Sequence, residues 1–125
     1  ESKANFIFEV FGKPFQLTPM EEYNLMRIVQ EAVRNSLKHS MAKNIKIILK
    51  YEELKFFVSI IDDGIGFNLD KINASEDSGF GIDGMKERAK QIGAELLIKS
   101  EINKGTSVEV FLNFKSKKRK SYDKL

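Results

Sequence analysis

From Phe6 to Gly12 (FIFEVFG) large apolar side chains recur with the period of a strand, and Lys13–Leu17 (KPFQL) reads as its short continuation. At Thr18-Pro19-Met20-Glu21 the period changes. A hydroxyl able to cap, a proline at the first helical position and a glutamate three residues on make a helix start. The helix is expected to run to about Met41. Leu25, Met26, Val29, Ala32, Val33, Ser36 and Leu37 recur at about 100° per residue and form its core stripe. Asn44–Glu53 (NIKIILKYEE) and Leu54–Asp63 (LKFFVSIIDD) read as antiparallel strands joined near Glu52-Glu53. A long polar stretch bounded by glycines follows, with the length of a functional lid or a disordered loop. Ile82–Gly93 is a second helix with Gly93 just past its end, and Ala94–Ile102 with Gly105–Phe114 closes the chain as a hairpin around Asn103-Lys104-Gly105. The expected fold class is α+β: a two-layer α/β sandwich with helices covering a mixed, mostly antiparallel sheet.

Composition narrows this picture without naming a chemistry. The 125 residues, 42% of them apolar, suffice for one domain with an ordinary core, and the absence of cysteine excludes disulfides and thiolate zinc sites and fits a cytosolic setting. One histidine excludes a multi-histidine metal centre, and the longest apolar run is too short to span a bilayer. The opening ESKANF has no secretory character and reads as the interior of a longer protein. The net charge of +3 is unevenly placed: residues 115–125 hold six Lys/Arg and one Asp, a net +5 that leaves −2 on the other 114. Residues 1–114 are therefore expected to form the domain and 115–125 a solvated, disordered tail. With no basic patch on the body, direct nucleic-acid binding is not expected.

Gly79-Phe80-Gly81-Ile82-Asp83-Gly84 is a literal G-x-G-x-x-G. A dinucleotide fingerprint must follow a strand and open the helix of a βαβ unit, whereas here the glycines follow a polar loop and the next strand enters a hairpin. The motifs that accompany a protein-kinase glycine loop are absent. What remains is physical: glycines permit close backbone approach, and the helix after them offers free N–H groups to an anion.

Two further clusters bear on this. Glu31, Asn35, Lys38 and His39 share one stripe of the first helix, read as rotated away from the core stripe. A solvated face and a passive surface histidine are the plain alternatives. An amide oxygen nevertheless suits Mg²⁺, and an ammonium can meet phosphate as a point charge. Asp62-Asp63-Gly64-Ile65-Gly66-Phe67 ends an apolar strand, where a carboxylate can accept from a base amine, although an ordinary D-G turn has the same composition.

Taken together, EAVRNSLKHS, DDGIGF, GFGIDGMKERA and Gly105-Thr106 resemble the N, G1 and G2 boxes and the closing Gly-Thr element of the GHKL ATPase superfamily, over roughly Thr18 to Phe114. The wording of the last box, with N-x-x-K-H upstream, is particularly similar to that of the nitrate/nitrite-sensor-like histidine kinases. The resemblance implies ATP and Mg²⁺ as cofactors. It implies Asn35 as the metal ligand and Glu31 as the acidic, base-type residue, with Lys38 and His39 at the phosphates or ribose. Asp62 would meet the adenine amine, aided by Thr106, and Gly64 and Gly66 would shape the adenine pocket. Gly79, Gly81 and Gly84 would hinge a lid that covers the nucleotide with Met85. Residues 68–78 would be ordered only with nucleotide. Lys86 stands where arginine is commoner. No acceptor-histidine stretch is present, so the chain is expected to be the ATP-binding catalytic half of a two-component sensor kinase. Its γ-phosphoryl would go to a histidine on a separate dimerisation domain, and a response regulator would act downstream. The parent would be a homodimer and, where membrane-anchored, would hold this part in the cytoplasm; the isolated domain would be a monomer that does not phosphorylate itself. An anti-sigma-factor-type serine kinase and a non-catalytic nucleotide-responsive module share the fold and stand as alternatives.

Overall fold

The computed structural model describes residues 3–73 and 79–115; the expected disordered tail lies almost wholly outside the described residues. Five strands, β1 (Asn5–Phe11), β2 (Asn44–Glu52), β3 (Lys55–Asp62), β4 (Glu95–Ser100) and β5 (Thr106–Asn113), form one sheet in the order β1-β2-β3-β5-β4. β1 runs parallel to β2 and every other pairing is antiparallel. Helices α1 (Pro19–Lys38), α2 (Leu69–Asn73) and α3 (Ile82–Gln91) complete the described elements. α1 packs on β3, β5 and α3, and α3 on β4, which is the helix layer the α+β reading expects.

α1 begins as its sequence dictates. The Thr18 hydroxyl accepts from Glu21 N–H at 3.2 Å, and Thr18 N–H donates to Glu21 Oε1 at 2.9 Å, so two otherwise orphaned donors are satisfied reciprocally. It ends at Lys38, short of the expected Met41. The N–H groups of His39 and Ser40 both donate to Asn35 O, Ala42 N–H donates to Ser36 O, and Met41 takes φ +53. Those bonds consume the last carbonyls and turn the chain toward β2.

The core stripe is also rotated from its expected place. Leu25, Ile28, Ala32 and Ser36 are buried, Val29, Val33 and Leu37 are half-buried, and Met26 is 54% exposed. Hydrophobicity alone points the stripe midway along the apolar arc. Packing is decided instead by two neighbours, the sheet and α3, which meet the helix from different sides. Along the sheet, Ile45, Ile47 and Leu49 oppose Asp62, Ile60 and Val58, which in turn oppose Thr106, Val108 and Val110. This single alternating face carries the core and, at one end, the polar pair Asp62 and Thr106.

Three smaller expectations change. The β2–β3 turn is Glu53-Leu54, one residue later than expected. Lys13–Leu17 is not a strand; only Phe15 makes a bridge, and its ring packs edge-on against Tyr51 at 5.0 Å and Phe114 at 5.6 Å. The long polar stretch contains a helical turn, α2, whose Ile72 is buried, while residues 74–78 lie outside the described residues.

The rotation has a measurable consequence. Ile28→Ala should lower the unfolding free energy by ~2–5 kcal/mol, as truncation of a fully buried aliphatic does, whereas Met26→Ala should change it by less than ~0.5 kcal/mol. Denaturant titration of both variants checks this, since the sequence periodicity alone predicts the reverse emphasis.

Candidate nucleotide site

The site is built on the second half of α1 and the ends of β3 and β5. Asp62 is the last residue of β3 and is 6% exposed. A buried carboxylate is tolerated only when its lone pairs are occupied. Here Ser36 Oγ donates to Oδ2 at 2.6 Å, and Oδ1 accepts from Ser40 Oγ at 2.8 Å, Gly64 N–H at 2.9 Å and Thr106 N–H at 3.2 Å. Three donors share Oδ1 and one uses Oδ2, so Oδ2 keeps capacity for a further donor. Ser40 Oγ also accepts from Gly66 N–H at 3.0 Å. Gly64 approaches Ser40 so closely that a Cβ would collide with the Ser40 carbonyl, a contact that only glycine permits. The Thr106 hydroxyl is paired with Ser100 Oγ at 2.7 Å.

Asp63, its sequence neighbour, has a different duty. It is exposed and accepts from the backbone of Lys43 and from both the backbone and side chain of Asn44, at 2.7–3.0 Å. The Asn44 side-chain amide, followed by the backbone donors, holds this carboxyl below its usual value. It fastens the end of β3 to the start of β2.

Asn35, expected on an outward face, is 3% exposed. Its Nδ2 donates to Phe80 O at 2.7 Å, while Oδ1 is buried with no partner among the described residues. An orphaned amide oxygen is what a hard cation needs as a ligand, so the residue fits the Mg²⁺ role. His39 stacks on the Phe80 ring at 3.9 Å between centroids and lies 3.3 Å from Gly79 O. Lys38 is exposed at the end of the helix.

Glu31 is half-buried and pairs with Arg34 at 3.1 Å, and Arg34 also donates to Gly79 O at 3.1 Å. Gly81 caps α3 with φ +64, and a Cβ there would stand 2.6 Å from the Glu31 carboxylate. Glycine thus lets the start of α3 close on Glu31. Gly84 faces open space, and Met85 is core-buried at 1% exposure while still lining the α1–α3 cleft.

Most of the expected site residues therefore converge on one end of the molecule: Glu31, Asn35 and His39 with Gly79 and Gly81, and Asp62 with Gly64 and Thr106. Ser36, Ser40 and Arg34 were not anticipated. Ser36 falls on the apolar stripe and so reads as core filling, while two hydroxyls at i and i+4 beside Asn35 are the sequence signal for its role.

This geometry agrees with the similarities the chain shows. Residues 20–116 match the family described as histidine kinase-, DNA gyrase B- and HSP90-like ATPases, and the chain belongs to that family. The sequence is 40% identical over 89 residues to the sensor histidine kinase LiaS of Bacillus subtilis, covering 71% of this chain and 24% of that protein. It is 38% identical over 112 residues to the histidine-protein kinase/phosphatase DegS of Bacillus subtilis, covering 86% and 29%. The catalytic domain of the histidine kinase ThkA superposes with a TM-score of 0.71 at 16% identity, covering 88% of this chain and 78% of that one. Acinetobacter baumannii AdeS superposes at 0.74 and 12% identity, covering 92% and 56%. Within the family, then, the chain is a catalytic ATPase domain of the two-component sensor histidine kinase type, and it spans about a quarter of the length of the curated relatives it matches. Among the described residues no helix is long and apolar enough to cross a membrane.

The Asp63 contacts generate a pH prediction. Because its folded-state pKa lies below the unfolded one, its contribution to stability is present above the unfolded pKa and is lost as pH falls through the folded value. Asp63→Asn should lower the thermal midpoint at neutral pH, and the gap from the unsubstituted chain should close as pH drops below about 4. Thermal melts across pH 2–7 measure it.

Proposed function

We propose that this domain binds ATP with Mg²⁺ and presents the γ-phosphoryl group to a histidine on a separate dimerisation domain. The observation that carries the reading is a pair of buried oxygens left with capacity on adjacent α1 contacts. Asp62 Oδ2, held by Ser36, suits the exocyclic amine of adenine, and Asn35 Oδ1 suits the metal. Gly64 and Gly66 let the loop after β3 pack against the Ser40 and Glu101 carbonyls beside Asp62, which would shape that side of the base pocket, and Thr106 supports the carboxylate through its backbone N–H. Lys38 and His39 extend from the end of the helix toward the phosphates. The metal, when bound, neutralises phosphate charge.

Transfer of this kind needs positioning and charge neutralisation more than a covalent nucleophile on the enzyme. The acceptor imidazole forms the P–N bond as the bond from Pγ to the bridging oxygen breaks, and ADP leaves with that electron pair. Glu31, beside Gly81, stands where a carboxylate can orient the incoming imidazole or take its proton. Whether it is a true base is open to test by Glu31→Gln, which should depress transfer and spare ATP affinity. The parent would be a homodimer that passes its phosphoryl group to a response regulator. This domain would lie on the cytosolic side of any membrane anchor.

Calorimetric titration with ATP, with and without Mg²⁺, tests the site. Asp62→Asn should weaken binding by about tenfold or more, the scale of a lost charge-assisted hydrogen bond. Asn35→Ala should bind ATP but lose the gain that Mg²⁺ gives the unsubstituted chain. A folded chain that binds no ATP overturns the proposal.

A further inference from the structure

A cleft of about 330 Å³ runs between α1 and the start of α3, lined among others by Arg27, Glu31, Arg34, Gly81, Met85 and Arg88. It opens beside Glu31 and Gly81, at the outer end of the proposed phosphate site, and follows α1 toward its N-terminus. Arg27 and Arg34 are seven residues apart, so they lie about 10 Å from each other along the axis. Three guanidinium groups therefore face one groove that contains a single carboxylate, Glu31, and that carboxylate is engaged by Arg34.

Arg27 and Arg88 enter no ion pair among the described residues. Both are placed on the Tyr23 ring instead. Arg27 donates to the Tyr23 hydroxyl at 3.3 Å with its guanidinium carbon 6.0 Å from the ring centroid, and the Arg88 guanidinium carbon lies 5.6 Å from it. An aromatic ring bracketed by two cations preorganises their planar forks while leaving their charge uncompensated. Two such groups on a groove that leads to a phosphoryl donor are complementary to an anionic partner.

We infer that the Arg27–Arg88 pair on Tyr23 docks an acidic helical segment of the phosphoacceptor partner, and so guides the accepting histidine to the γ-phosphoryl end of the site. The occupant is defined by its chemistry: carboxylates spaced along one helix face, close to the residue that accepts. ATP is not the occupant of the Arg27–Arg88 pair, because the proposed metal contact at Asn35 lies about two turns along α1 from Arg27 and the proposed base contact is at Asp62, at the end of β3. The inference rests on the phosphotransfer reading above, and its failure can be told apart from failure of that reading.

The test uses the full-length parent kinase and measures both ATP affinity and the rate of histidine phosphorylation. Arg27→Gln/Arg88→Gln should lower transfer by about tenfold or more with ATP affinity within about twofold of the unsubstituted enzyme. Arg88→Lys, which keeps the charge, should retain at least about half the rate and guards against a mere folding defect in the double variant. Raising salt from about 50 to 300 mM should slow the unsubstituted enzyme more than the double variant. Charge reversal at Arg88 should be offset by exchanging one Asp or Glu near the accepting histidine for Lys. A double variant that transfers at the normal rate, or whose transfer falls only in step with ATP affinity, overturns the docking role. An unsubstituted enzyme that binds ATP and labels no histidine overturns the phosphotransfer reading instead.

Discussion

The structure depends on one buried carboxylate. Asp62 is reached by donors from α1, from the loop after β3 and from β5, and all of them are needed because an ionised group at 6% exposure is costly to leave unsatisfied. The network ties the end of the sheet to the helix above it. It also fixes the relation between two proposed contacts: Ser36, which holds Asp62 Oδ2, directly follows Asn35, whose Oδ1 is free. A shift of α1 along the sheet would break the Ser36 bond to Asp62 before it moved Asn35 Oδ1 away from Asp62 Oδ2. The rigidity of the site is therefore a consequence of satisfying one charge.

Adjacent residues of the same type do opposite work because of strand geometry. Asp62 falls in register with Thr106 on the core face of the sheet, whereas Asp63 is one step further, beyond the end of β3 and in solvent. The first keeps capacity on Oδ2 for the proposed ligand contact, with hydroxyls and backbone amides holding the carboxylate in place. The second spends its oxygens on Lys43 and Asn44, closing the strand end that carries the first.

The order of elements, the capping box at Thr18 and the convergence of the three motifs were legible in the sequence because each rests on local chemistry: a hydroxyl and a glutamate at fixed spacing, a period of two or 3.6, glycines before a helix. What was not legible depends on neighbours. Ile28 and Met26 are both large apolar residues, and the positions of α3 and the sheet decide that one is buried and the other exposed. Asn35 and Ser36 read as outward or as filler because hydrophobicity cannot register a polar residue buried by its hydrogen bonds. Likewise β1 could be read as a strand, but not as a parallel edge, since the pairing is made with a strand more than thirty residues away.

α1 acts as a ruler for the chemistry. From Arg27 to its last residue, Lys38, it spans about 17 Å at 1.5 Å per residue, and Ser40 stands in the turn just beyond. Toward its N-terminus the side chains pass from the Ser36 hydroxyl that holds Asp62, through the Asn35 amide proposed for the metal, to the Glu31–Arg34 pair at the start of α3, and then to Arg27 on Tyr23, where Arg88 of α3 meets it. The sequence of polarities matches what the proposed nucleotide and acceptor would require in order: a hydrogen-bonding carboxylate, a cation site, a group beside the reacting phosphoryl, and a cationic approach for the partner. α1 thus sets the separations among Ser36, Asn35, Glu31 and Arg27, and the Asp62 network ties it to the sheet. Substitutions at Ser36 or Ser40 would therefore act at a distance, disturbing phosphoryl transfer by displacing the whole ruler while no reacting group is removed.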